Sequence, residues 1–104
     1  MDKLVVQLPI DGETDFDTLL HVEETLSRTF GLEGYAQVDG HEIGEDRFSI
    51  LIRAPHPSEP TLARIKQLLE GLGVLRIALV ASFRPATASY EVVYPTGYAG
   101  KFTA

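Results

Sequence analysis

Cysteine and tryptophan are absent, and methionine occurs once in 104 residues. Without a thiol there is no disulfide, no thiolate zinc or iron–sulfur centre and no cysteine nucleophile. A reducing, cytoplasmic setting fits that composition. Long apolar runs are missing too. No stretch approaches the roughly 18 residues of a membrane-spanning helix. The opening MDKLVVQLPIDGETD is interrupted too soon for a secretory signal, so no membrane association is expected. Basic residues are scarce, 9 Lys+Arg against 15 Asp+Glu for a net charge of −6. That balance argues against nucleic-acid binding, which needs cations to neutralise phosphates. The glycine-rich phosphate motifs and the G-x-S-x-G elbow do not occur, and no cofactor is expected.

What is present is an ordinary globular composition, 44% hydrophobic and 23% charged. Its length suits one domain over 1–104, with 96–104 a flexible or docking tail. The charge is uneven. Residues 1–47 hold 12 acids and 3 bases (net −9), and residues 48–104 hold 3 acids and 6 bases (net +3).

Leu4–Leu8, closed by Pro9, reads as a first strand. Thr14 or Asp15 caps a helix whose stripe is Phe16, Leu19, Leu20, Val22, Leu26 and Phe30, with Gly31 at its end. Tyr35–Asp39 reads as a second strand, and 40–46 as a long polar turn. Phe48–Arg53 alternates clearly and is a third strand. Three prolines within 54–60 exclude helix there. Leu62, Ile65, Leu68, Leu69 and Leu72 then form a second helical stripe, stopped by Gly71 and Gly73. Arg76–Phe83 and Tyr90–Tyr94 complete the set as strands.

The order β-α-β-β-α-β with a terminal β is that of a ferredoxin-like split βαβ sandwich. It is an α+β fold, with an antiparallel sheet and two helices on one face. The expected strand order is 4-1-3-2, with the fifth strand beside the fourth. The opposite face is expected to carry Val5, Gln7, Gln37, Ser49, Leu51, Arg53, Ala78, Val80 and one side of the fifth strand, half apolar and free of lysine. Such a face is often covered by a second copy, so a homodimer is expected.

The fold brings the first turn (Asp11, Glu13, Asp15) near the second (Asp39, His41, Glu42, Glu45, Asp46). One acidic pole follows, suited to a basic protein partner. Asp39, His41 and Glu42 also have the atom types of a metal site, though at no known metal spacing. His41 with Asp39 could perform acid–base chemistry. Arg53, His56 and Arg84 are expected to form a weak basic patch at the other end. No catalytic residue is assigned. Asp11, Glu13, Asp39, His41, Glu42 and Arg53 are the candidate ligand- or partner-binding residues.

The run Val38-Asp39-Gly40-His41-Glu42-Ile43-Gly44, followed by Phe48–Ile52, resembles a segment of small bacterial ferredoxin-like α+β proteins whose role is unassigned. The resemblance implies a bacterial, cytoplasmic protein and carries over no catalytic residue. The leading expectation is a non-enzymatic protein- or ligand-binding module that homodimerises. The alternatives are a small metal-dependent or acid–base enzyme using the hairpin, and a small-molecule regulatory domain holding its ligand against Arg53 or Arg76.

Overall fold

A computed structural model describes residues 1–12, 14–98 and 102. Glu13, a candidate site residue, lies outside them, as do 99–101 and 103–104 of the expected tail.

The elements run β1 (Asp2–Pro9), α1 (Phe16–Glu33), β2 (Gln37–Ile43), β3 (Arg47–Ala54), α2 (Glu59–Gly71), β4 (Leu79–Arg84) and β5 (Ser89–Tyr94), with one 3₁₀ turn at Leu75–Ile77. The fold is α+β. Its five strands lie in the order β2-β3-β1-β4-β5, and every neighbouring pair is antiparallel.

Strand alternation sorts the side chains. Leu4, Val6 and Leu8 of β1 and Phe48, Ile50 and Ile52 of β3 point to one side. There they meet Leu19, Val22, Leu26 and Phe30 of α1 and Ile65 and Leu69 of α2 in one core. Those helix residues recur at spacings of three and four, so a single stripe of each helix is buried.

α1 starts at Asp15, whose carboxylate accepts the Thr18 backbone N–H at 2.7 Å. Hydrogen bonding from Thr18, first through its side chain and then through this backbone N–H, holds the Asp15 carboxyl below its ordinary pKa. The helix runs through Gly31, the expected stop, to Glu33. Interior glycine weakens a helix by only about 1 kcal/mol, which the neighbouring turns absorb. The turn comes at Gly34 instead, where φ is +75° and the backbone N–H bonds the Phe30 carbonyl. This left-handed position favours glycine.

Three further expectations are corrected. β2 continues to Ile43, leaving only Gly44–Asp46 as a turn. The register slips between Val38 and Gly40, and the ladder then resumes through His41. Gly40 absorbs the bulge at φ +128°, in the region that favours glycine. β4 begins at Leu79, after the 3₁₀ turn. Val80 therefore pairs with Val6, and Val80 and Ala78 lie in the helix-side core rather than on the free face. Leu79, Ala81 and Phe83 take their places.

The end of α1 is tied to α2 by charge. Arg64 donates through Nε to Glu33 at 3.0 Å and approaches it through Nη2 at 2.9 Å. The hydrogen bond from Arg64 holds the Glu33 carboxyl below its usual pKa, and Glu33 in turn raises that of Arg64. Folding therefore lowers the Glu33 pKa. Ionised Glu33 favours the native state above its unfolded pKa, and the contribution is lost as pH falls through the lower folded value. The melting-temperature gap between the native sequence and Glu33→Gln should thus be present near pH 7 and shrink as pH falls below the ordinary glutamate range. Thermal melts of both proteins across that range check it. A gap that persists at the acid end would contradict the pairing.

Candidate functional site

The helix-free face of the sheet is built in rows, because antiparallel partners present their side chains to the same side. In one row Gln37 stands opposite Arg53, and Arg53 opposite Lys3. The Lys3 ammonium lies 5.6 Å from the Phe83 ring centre, and Phe83 pairs with Tyr90 edge-on. The next row is apolar: Leu51, Val5, Ala81 and Val92. The third holds Glu42, Ser49, Gln7 and Leu79.

This face is more closed than the half-apolar surface expected. Val5 is 1% exposed and Ala81 0%, although no helix covers them. Gln7 and Ser49 are also buried. Such polar groups need partners. Gln7 Nε2 donates to the Ser49 hydroxyl at 3.2 Å, and Arg47 Nη1 donates to Gln7 Oε1 at 3.4 Å. From beyond β5, the Phe102 ring packs 5.6 Å from Tyr90. Phe102 belongs to the expected docking tail.

Two cavities open along the face. One of about 220 Å³ lies among Lys3, Arg53, Asp39, Glu42, Leu51 and Tyr90. A second, of about 260 Å³, lies among Gln7, Glu45, Asp46 and Arg47. Glu42 and Ser49 border both, so the two join into one groove. Its floor is apolar in the first cavity, at Val5 and Leu51, and polar in the second, at Gln7 and Ser49, and its walls carry both signs of charge. Asp39 accepts from Arg53 Nε, with Oδ2 at 2.7 Å.

The candidate hairpin residues separate. Because β2 is a strand where a turn was expected, alternation and the bulge send Asp39 to the helix-free face and His41 to the helix side. His41 Nδ1 bonds Glu23 of α1 at 2.8 Å, and its ring stacks on Phe48 with centres 4.8 Å apart. It pins edge strand β2 to α1. Asp39, His41 and Glu42 therefore do not converge. No group of three or more metal-type side chains occurs among the described residues, and the Asp39–His41 acid–base pair is not assembled.

The two turns do meet: the Ile10 N–H bonds the Asp46 carbonyl at 2.8 Å. The acidic end thus contains Asp11, Glu45 and Asp46, while Asp39 and Glu42 belong to the face. Each member of the expected basic patch is taken up by a separate carboxylate. Arg53 pairs with Asp39, His56 with Asp2 and Arg84 with Glu91.

Of the groove, sequence reasoning placed Arg53, Asp39 and Glu42 as candidates and Ser49 and Leu51 on the face. It missed Lys3, having set that face as free of lysine; Tyr90 belongs to the fifth strand, one side of which was expected on this face. The signal was available: Lys3, Val5 and Gln7 alternate along β1, and extending the first strand two residues toward the N-terminus includes Lys3.

No helix among the described residues is long and apolar enough to cross a membrane. No protein-family model matches the chain, and neither does any curated protein or solved structure.

Proposed function

We propose that this chain is a non-catalytic ligand-binding module on a ferredoxin-like split βαβ sandwich, with the groove of the helix-free face as its site. The observation that carries the reading is the groove itself. It combines an apolar floor at Val5 and Leu51 with charged walls at Lys3, Arg53 and Glu42. Binding sites have this character: apolar contact supplies affinity and a few placed polar groups set orientation. The enzymatic alternative loses its support because Asp39 and His41 stand on opposite sides of the sheet. The Arg76 version of the regulatory alternative is less favoured than the Arg53 version, since Arg53 lines the groove.

Homodimerisation belongs to the same proposal. Leu51, Leu79, Phe83 and Val92 remain partly exposed on the face, and a second copy seated there would bury them.

Native mass spectrometry of the protein recovered from its own cells tests both parts. The expected spectrum shows two chains together and a bound species, which Leu51→Lys releases by placing a charge on the groove floor. Bare single chains from both proteins would contradict the proposal.

A further inference from the structure

We infer that the groove takes a small zwitterion of the ω-amino-acid class, its carboxylate between Lys3 and Arg53 and its ammonium at Glu42. The inference rests on the groove being the binding site and names what it binds.

Lys3 and Arg53 are register partners on adjacent antiparallel strands and face the same side. Like charges placed directly opposite each other destabilise a sheet. Asp39 offsets one of them, through its pair with Arg53. Lys3 has no carboxylate partner among the described residues; its ammonium rests over the Phe83 ring. The two cations and one anion leave a single uncompensated positive charge at this end of the cavity. A carboxylate between the two cations removes the repulsion and gains charge-assisted hydrogen bonds. Arg53 is suited to this, because its bond to Asp39 uses Nε, and the terminal nitrogens of the guanidinium fork can serve a second oxygen.

The other end has the opposite sign. Glu42 is exposed and, among the described residues, has no cation partner. It borders the same cavity, beside the Ser49 hydroxyl. Arg53 and Ser49 are four residues apart on β3, about 13 Å at the rise of a strand. Lys3, Arg53 and Glu42 all line the one cavity of about 220 Å³, so a ligand that reaches both signs of charge inside it is short. Leu51 lies midway, with Val5 opposite it. A ligand that satisfies both ends therefore has a carboxylate and an ammonium separated by a short alkyl chain, which lies over Leu51 and Val5. A cavity of about 220 Å³ holds a molecule of that size.

The test is thermal shift and calorimetric titration with 6-aminohexanoate, using hexanoate and hexylamine as probes that each carry one end. At about 10 mM, 6-aminohexanoate should raise the melting temperature by roughly 3–6 °C, and each single-ended probe by much less. Lys3 and Glu42 are exposed, so Lys3→Met and Glu42→Gln should fold. Each should weaken 6-aminohexanoate about tenfold. Glu42→Gln should also erase its advantage over hexanoate. Hexanoate binding as tightly as 6-aminohexanoate to the native sequence would overturn the assignment, as would undiminished binding to either variant. Silence with all three probes would overturn the ligand class alone, provided native mass spectrometry still shows a bound species that Leu51→Lys releases. Loss of that species' dependence on Leu51 would instead defeat the binding reading itself.

Discussion

Phe48→Ala should destabilise the protein by about 3–5 kcal/mol, the cost of emptying a buried aromatic site that cannot fully collapse. Phe48 is 0% exposed and sits where three elements meet. Phe16 of α1 packs edge-on against its ring at 5.9 Å, 89° from coplanar. His41 of β2 stacks on it as well, and Leu8 of β1 is its register partner. Removing the ring leaves a void that borders α1, β2 and β1 together, so no single neighbour can close it. A domain of this size has about 5–15 kcal/mol of stability in total, and the variant should be near its limit at room temperature. Urea unfolding measures the loss. Leu32→Ala is the matched control: Leu32 is 84% exposed and should change stability by less than about 0.5 kcal/mol. A loss below about 1 kcal/mol for Phe48→Ala would show that the core is not centred where the strands and helices place it.

Gln7→Met should cost about 1–3 kcal/mol even though methionine fills nearly the same volume. Gln7 is 3% exposed and Ser49 5% exposed on a face without helices. The Gln7 amide donates to Ser49 and accepts from Arg47, so one side chain serves two polar neighbours at once. Methionine serves neither, and the Ser49 hydroxyl is left buried without its donor. The cost is the desolvation of groups that water can no longer reach. Adding Ser49→Ala should recover part of the loss, because it removes the stranded hydroxyl. The double variant should therefore be more stable than the sum of the single losses implies. Strict additivity would mean that the two side chains do not act as a pair. Because Ser49 borders the groove, the same variants should also loosen its wall.

Elements with strong patterns were legible before the structure. The alternation of Phe48, Ile50 and Ile52 and the stripes of α1 and α2 fix which side faces the core, since each periodic set must be buried together. The misreadings fell where local pattern carries no phase. Ile77-Ala78-Leu79-Val80-Ala81 is continuously apolar, so neither parity is favoured, and the 3₁₀ turn before Leu79 decided it. Gly40 and the polar residues after it have turn composition, yet a bulge lets the β2–β3 ladder pass through them. That single difference took apart the Asp39–His41–Glu42 cluster, because side chains adjacent in a turn can converge and those in a strand alternate. Glu23, the partner that His41 finds, is 18 residues away and on another element; only the packing of α1 on β2 brings it near. The net charge of −6 likewise says little until the face is assembled. Lys3 and Arg53, two of the few cations, meet there across one strand pair.

The central claim, that the groove on the helix-free face is the binding site, is tested most directly by backbone amide NMR during titration with 6-aminohexanoate. The account predicts shifts confined to Lys3, Val5, Glu42, Leu51, Arg53 and Tyr90, with the outward faces of α1 and α2 unchanged. Shifts centred on the helices, or spread evenly over the surface, would contradict it.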